Sequence, residues 1–139
     1  MFKMYYASAI DCSVDQGKHL LGIFKELFKK YPQIEVYGAG IGESPIINLD
    51  NTKIFKKTIV AYDLRKIREC DIFLMVTDLK TYCAGTHEEL MYARQLGLCI
   101  IVCILGTEKV KSIFIESHAD RIVYGIEKLE NVLGELCEK

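Results

Sequence analysis

The sequence predicts an α/β fold: a doubly wound, flavodoxin-like sheet of five parallel strands with helices on both faces. Strand-like and helix-like segments alternate along all 139 residues, as they do in folds built from strand, helix, strand units. Two of the strand segments, residues 71–77 and 98–105, are apolar almost throughout, which is typical of strands covered on both faces. Because crossovers between parallel strands are right-handed, this order favours the doubly wound arrangement.

The elements follow from their apolar spacing and their flanking residues. Ser13 and Gln16 have the spacing of a capping box at the start of the first helix. Residues 38–50 form a long connection of the kind that is usually functional or mobile. We expect strands at residues 3–9, 33–37, 71–77, 98–105 and 121–124, and helices at about residues 13–31, 52–69, 86–96, 109–115 and 126–138.

Length and composition limit the classes of function. A chain of 139 residues fits one domain, residues 1–139. Its 18 basic and 19 acidic side chains leave a formal charge of −1 with no basic stripe, so we expect no nucleic-acid partner. The longest apolar run, residues 98–105, is far shorter than the roughly 20 residues that span a bilayer. No signal peptide is visible at the start of the sequence, and we expect a cytoplasmic protein without a membrane partner.

The cysteines and histidines show no metal-binding pattern. None of the six cysteines forms a C-x-x-C pair, and the three histidines are scattered. We therefore expect reduced, mostly buried thiols and no metal site.

Polar residues cluster where a ligand is expected. In a sheet of order 2-1-3-4-5, ligands bind beyond the carboxyl ends of the strands, where the strand order reverses. The loops at residues 8–13 and 78–85 face each other across that point. The candidate substrate-binding residues in and beside them are Tyr6, Ser8, Asp11, Asp78, Gly85 and Thr86.

The second helix carries an unexpected acid. Asp63 is the third member of a row spaced by four residues, whose other members are Phe55, Ile59 and Ile67. If that row is core, the carboxylate lies on a buried or half-buried stripe and needs a partner or a catalytic task. The alternative is that Asp63 pairs with Arg65, Arg68 or a tyrosine hydroxyl at the rim.

Glu89 stands just inside a predicted helix that follows a buried strand. Thr86 and Glu89 have capping-box spacing, so Glu89 has the alternative of reaching back to the Thr86 amide. Glu89 also shares a helix face with Ala93 and Leu96, which points it inward over the sheet. In that orientation Glu89 is a better candidate for a nucleophile than its neighbour Glu88.

Other motifs carry less information. The glycines of residues 38–42 follow the second strand without a prompt helix, so they are interpreted as turn glycines and not as a dinucleotide fingerprint. Walker A, G-x-S-x-G and Cys/His nucleophile patterns are missing. Tyrosines near the pocket have the form to stack on a planar base, or they are ordinary strand and loop aromatics. They are Tyr5, Tyr6, Tyr37 and Tyr82.

Three stretches together resemble the nucleoside 2-deoxyribosyltransferase superfamily. They are residues 63–74 (DLRKIRECDIFL), residues 85–93 (GTHEELMYA) and the apolar strand at 98–102, and residues 4–9 (MYYASA) look like that family's first strand and substrate loop. By this resemblance, Glu89 corresponds to the catalytic nucleophile and Asp63 to the aspartate that assists it. The chain departs from the family pattern at Ser8 (usually Gly), Asp11 (Arg in the branch that hydrolyses monophosphates), residues 82–84 (often acidic) and Met91 (usually Gly).

The resemblance implies cleavage of the N-glycosidic bond of a nucleoside or nucleotide. Glu89 would attack the anomeric carbon, and water or a second base would resolve the glycosyl ester, with a tyrosine of the first strand holding the nucleophile. No cofactor is required. The resemblance also implies a homo-oligomer, a dimer or larger.

Two alternatives remain open. Residues 85–90 also look like the Gly-Thr-x-Glu-Glu segment of the cytokinin-activating phosphoribohydrolases, which are longer and carry a Pro-Gly-Gly that this chain lacks. The other alternative is a non-catalytic nucleotide sensor on the same sheet. A flavin or response-regulator module is least favoured, because the end of the first strand lacks an acidic cluster with a phosphoacceptor.

Overall fold

The computed structural model describes residues 1–10, 15–38, 41 and 53–138, with backbone only for 53–55. Strands and helices alternate as predicted. In chain order the elements are β1 (Phe2–Ser8), α1 (Asp15–Lys29), β2 (Ile34–Gly38), α2 (Lys53–Arg68), β3 (Ile72–Thr77), α3 (Ala84–Leu96), β4 (Cys99–Ile104), α4 (Ile113–His118), β5 (Arg121–Tyr124) and α5 (Ile126–Cys137).

The sheet has the predicted topology. Its five strands are parallel and lie in the order β2-β1-β3-β4-β5. From β1 the chain crosses to β2 on one side, and from β2 it crosses back over β1 to β3 on the other. The strand order therefore reverses between β1 and β3, where open α/β sheets bind their ligands.

The core has two halves, one on each face of the sheet. Because successive strand residues point to opposite faces, Met4 and Tyr6 face α1 and α5, whereas Tyr5 and Ala7 face the other way. That second half also contains side chains of α2, α3 and α4, such as Ile67, Leu90 and Ile115. Both candidate catalytic acids lie on helices of this second face.

Two helix boundaries differ from the prediction. α3 begins at Ala84, two residues early, with Cys83 as its N-cap. The short helix α4 spans Ile113–His118 and not 109–115, because the Ser112 hydroxyl accepts a hydrogen bond from the Ile115 amide at 3.4 Å and caps the helix there.

Several expectations fall outside the described residues. They concern the cap at Ser13, Asp11, the start of the second helix at Thr52 and most of the connection at 38–50. Within the described part of the chain, no helix is long and apolar enough to cross a bilayer.

The five cysteines in the described residues are free thiols, as predicted. Cys70 and Cys103 are buried, and burial raises the pKa of their thiols to about 11 and about 12. The expectation of burial is wrong for Cys99, which is exposed because it is the first residue of β4.

Candidate active site

A hydrogen bond joins β1 to α3 at the point where the strand order reverses. The Tyr5 hydroxyl donates to Oε2 of Glu89 at 2.5 Å. The Tyr5 ring is only 2% exposed and stacks on Phe73 of β3, with centroids 5.9 Å apart and planes 8° from parallel. Packing therefore fixes the position of the Tyr5 ring, and the Tyr5 hydroxyl in turn positions the Glu89 carboxyl.

A second contact fastens the start of α3 to the end of β1. The Thr86 hydroxyl is buried and donates to the Ser8 carbonyl at 3.0 Å, and it also lies 3.3 Å from the sulfur of Cys83. Thr86 therefore links two elements, and the N-cap of α3 is Cys83. Glu89 directs Oε2 towards Tyr5 of the sheet. The inward orientation expected for Glu89 is what the structure has, although Leu96 on the same face is 42% exposed.

The pKa of the Glu89 carboxyl lies near neutral pH. Burial raises its pKa, the Tyr5 hydrogen bond lowers it, and the negative charges of Asp63 and Glu88 raise it again, giving a pKa of about 7. An acid with that pKa populates both protonation states near physiological pH, which is the property required of a group that must ionise to react and then be regenerated.

Asp63 belongs to the same electrostatic cluster. It is half-buried on α2, and burial raises the pKa of its carboxyl. The pKa of the Tyr5 hydroxyl is raised first by burial, then by Glu89, and further by Asp63. The two carboxyls, Asp63 and Glu89, therefore share one site with the Tyr5 hydroxyl, and each carboxylate disfavours a negative charge on its neighbours.

The row that carries Asp63 is only partly core. Ile67 is fully buried as predicted, but Ile59 is 38% exposed, so the row leaves the core one turn before Asp63. The side chain of Phe55 lies outside the described residues. Among the ion pairs of the described part of the chain, none joins Asp63 to Arg65 or Arg68, and its charge acts instead on Glu89 and Tyr5.

Tyr6 lies away from this cluster. It points to the opposite face of the sheet, is 2% exposed, and packs against Phe24 and Phe28 with ring centroids at 5.4 and 5.8 Å. The prediction that Tyr6 binds substrate placed it beside Glu89, and the structure places it on the opposite face, because only the strand register decides which of the two adjacent tyrosines faces α3. The first-strand tyrosine that lies beside Glu89 is Tyr5.

The remaining predicted binding residues build the loops around the site. Ser8 accepts a hydrogen bond from the Ile10 amide at 3.1 Å. Although burial raises the pKa of Asp78, hydrogen bonds from Thr81 and Lys80 outweigh it and hold that pKa below its usual range. Gly85 has open space where a Cβ would lie. Their roles in binding a substrate stay predictions, and Asp11 lies outside the described residues.

The described residues contain no cluster of side chains suited to hold a metal ion. Within residues 1–10, 15–38, 41 and 53–138, no group of three or more His, Cys, Asp or Glu side chains is arranged to hold an ion.

Comparison with known proteins extends the sequence resemblance to three dimensions. No protein-family profile and no curated protein sequence matches the chain. Similar solved structures include a conserved protein from Enterococcus faecalis V583, with a TM-score of 0.79, 14% identity, and coverage of 98% of this chain and 99% of that one.

Two further similar structures are of enzymes with named activities. A 2-deoxyribosyltransferase from Bacillus psychrosaccharolyticus has a TM-score of 0.74 at 16% identity, covering 93% of this chain and 90% of that one. A CMP N-glycosidase from Clostridium botulinum has a TM-score of 0.62 at 17% identity, covering 96% and 97%. At these identities the likeness shows the fold alone: the chain has the same α/β fold as the 2-deoxyribosyltransferase and the N-glycosidase.

Proposed function

We propose that this protein cleaves the N-glycosidic bond of a nucleoside or nucleotide and passes the sugar to water or to a second base. The observation that carries the proposal is the Glu89 carboxyl, held at 2.5 Å by the buried Tyr5 hydroxyl beside a second acid, Asp63. The shared fold with a 2-deoxyribosyltransferase and a CMP N-glycosidase supports the same chemistry.

Glu89 is the nucleophile in this proposal. Tyr5 engages Oε2, and we assign the attack on the anomeric carbon to Oε1. As the new carbon–oxygen bond forms, the bond to the base nitrogen breaks and its electron pair leaves with the base. Water or a second base then attacks the same carbon and gives up a proton to Asp63, which was ionised when it protonated the leaving base, and the Glu89 carboxylate is released.

Asp63 is the proton donor to the departing base. Burial raises the pKa of its carboxyl, which shifts the group towards the protonated form that can neutralise the charge developing on the base. Its charge also acts on Glu89, so the protonation of one acid favours ionisation of the other. Two acids with separate tasks are thereby kept at one site.

The same proposal includes assembly into a homo-oligomer. α2 and α3 pack against each other and expose three apolar side chains, Ile59 at 38%, Val60 at 53% and Met91 at 47%. Exposed apolar surface of this kind is typical of protein interfaces. We assign this α2–α3 surface to contact with a second copy of the chain.

The activity is tested with a panel of substrates. Deoxynucleosides, ribonucleosides and their monophosphates are incubated with the protein, with and without a free acceptor base, and the products are separated by chromatography. Free base without acceptor identifies a hydrolase, and exchanged base identifies a transferase. Glu89→Gln should abolish either product, whereas Glu88→Gln, its exposed neighbour, should retain it. A panel without turnover contradicts the proposal and favours a nucleotide sensor.

A further inference from the structure

A second pocket lies on the other side of α3. It has a volume of about 290 Å³ and is formed by the loop after β3, the first turn of α3 and the loop after β4. His87 lines it, and two residues along a helix point about 200° apart. Glu89 therefore faces away from this pocket, whose lining includes none of Tyr5, Asp63 and Glu89, although the loop after β3 borders both places.

The rim of this pocket carries an excess of positive charge. Three lysines line it, Lys80, Lys109 and Lys111, with one carboxylate, Glu108, so the rim has three positive charges against one negative. Glu108 lies 4.0 Å from the Lys80 amine, the outer limit of an ion pair, and both side chains are solvent-exposed. That contact neutralises Lys80 weakly.

Lys109 contacts an aromatic ring but takes part in none of the ion pairs formed by the described residues. Its amine lies 4.4 Å from the centroid of the Tyr124 ring, a contact that attracts a cation but contributes no negative charge. Asp78, the acid at the base of the first loop, directs its oxygens to the amides of Lys80 and Thr81 and to the Thr81 hydroxyl.

The walls of the pocket are preformed. The Tyr82 ring stacks on His87, with centroids 5.4 Å apart and planes at 21°. The same loop holds Leu79 at a φ of 65°, fixed by a hydrogen bond from its amide to the Thr77 hydroxyl at 3.0 Å. A non-glycine residue in that conformation is strained, and a loop already held in place loses little entropy on binding a ligand.

We propose that this pocket binds a phosphorylated small molecule, with the phosphate groups held by Lys80, Lys109 and Lys111. Ammonium groups bind phosphate as point charges, and the rim's excess of two positive charges matches a dianion. The pocket volume is near the lower end of the range for small-ligand sites, roughly 300 Å³. The proposal requires no turnover at Glu89, so it stands or falls independently of the proposed function.

The test uses inorganic pyrophosphate as the probe. The chain contains no tryptophan, so Tyr82→Trp places the only tryptophan in the pocket wall, where it can be excited selectively over the tyrosines. Titration at low ionic strength should give a saturable change in fluorescence. Adding Lys111→Glu should weaken the affinity by about tenfold or more. Lys25→Glu, the same charge change on exposed helix α1, should leave it unaltered.

Three results would overturn the proposal: no saturable change, an equal loss with Lys25→Glu and Lys111→Glu, or a loss of binding with Glu89→Gln, which would assign the anion to the active site. A second measurement avoids dependence on the tryptophan. Pyrophosphate should raise the unfolding temperature of the unaltered protein and of Lys25→Glu but not of Lys111→Glu, and equal shifts in all three would contradict the site.

Discussion

The hydroxyl of Tyr5 and the carboxyl of Glu89 are 84 positions apart in sequence and 2.5 Å apart in space. The contact lies on the face of the sheet covered by α2 and α3, at the reversal of strand order. Because Tyr5 stabilises the charged form of Glu89 while burial opposes it, the pair sets the pH at which the proposed nucleophile ionises.

Tyr5→Phe should move the acid limb of the pH–rate profile to higher pH. Loss of the hydroxyl removes the one interaction that lowers the pKa of Glu89, so that pKa rises above about 7. We expect kcat/KM at neutral pH to fall by about ten- to a hundredfold, the cost of a hydrogen bond to a charged group. Tyr31→Phe, which removes a hydroxyl bonded to the Glu130 carbonyl at 3.1 Å, is the control. Identical profiles for both variants would contradict the role of Tyr5.

Asp63→Asn should move the same limb in the opposite direction. The charge of Asp63 raises the pKa of Glu89, so its removal lowers that pKa and extends the ionised form to lower pH. The variant also loses the proposed proton donor, so kcat should fall most for bases that leave poorly and least for bases that leave readily. An equal loss for both kinds of base would show that Asp63 does not protonate the leaving group.

Glu89→Gln should stabilise the fold at alkaline pH. The folded-state pKa of about 7 lies above the ordinary value of 4.5, so the native state binds more protons than the unfolded chain between these values. Stability from this group is thus present at low pH and lost as pH rises through about 7. We expect Glu89→Gln to raise the free energy of unfolding by about 2 to 3 kcal/mol at pH 8 and little at pH 4.5.

Urea unfolding at the two pH values measures this difference. Glu88→Gln is the matched control on the same helix, because Glu88 is exposed. Its charge is the last-listed contribution to the raised pKa of Glu89, so its effect on stability at pH 8 should be much smaller than that of Glu89→Gln. If Glu89→Gln destabilises the protein equally at both pH values, the carboxyl does not titrate as a buried group.

Val60→Glu should dissociate the proposed homo-oligomer. Val60 is 53% exposed on α2, and a carboxylate there would be desolvated at the α2–α3 interface at a cost of several kcal/mol. Light scattering after size exclusion should give a lower mass for this variant than for Ile23→Glu, which alters an apolar residue of α1 that is 38% exposed. A monomeric unaltered protein would contradict the interface.

The sequence predicted the fold because the periodic signals are strong. The apolar strands β3 and β4 and the amphipathic helices α1 and α5 bury the residues that their spacing indicates. Weak signals failed where one local contact decides the outcome. α4 starts at Ile113 because Ser112 caps it. The residues around Ser112 give no sequence signal that selects this position as the helix start.

The two acids of the candidate site could be predicted from the sequence, but the tyrosine that contacts Glu89 could not be chosen with the same ease. Glu89 and Asp63 are visible in sequence as charges on helix faces that otherwise contain apolar residues. The choice between Tyr5 and Tyr6 depends on strand register, since a shift of one residue exchanges the two faces, and no local signal fixes that register. The lysine-rimmed pocket joins two loops 25 or more residues apart, which only the pairing of β3 with β4 brings together.

The most direct test of Glu89 as the nucleophile is the detection of a sugar ester on its side chain. The protein is incubated with a substrate that the panel shows to be turned over, quenched in acid, digested and mapped by mass spectrometry. We expect a pentose adduct on the peptide that contains Glu89, absent from Glu89→Gln and present in Glu88→Gln. Base release by Glu89→Gln at the unaltered rate, or an adduct on a different residue, would contradict this role of Glu89.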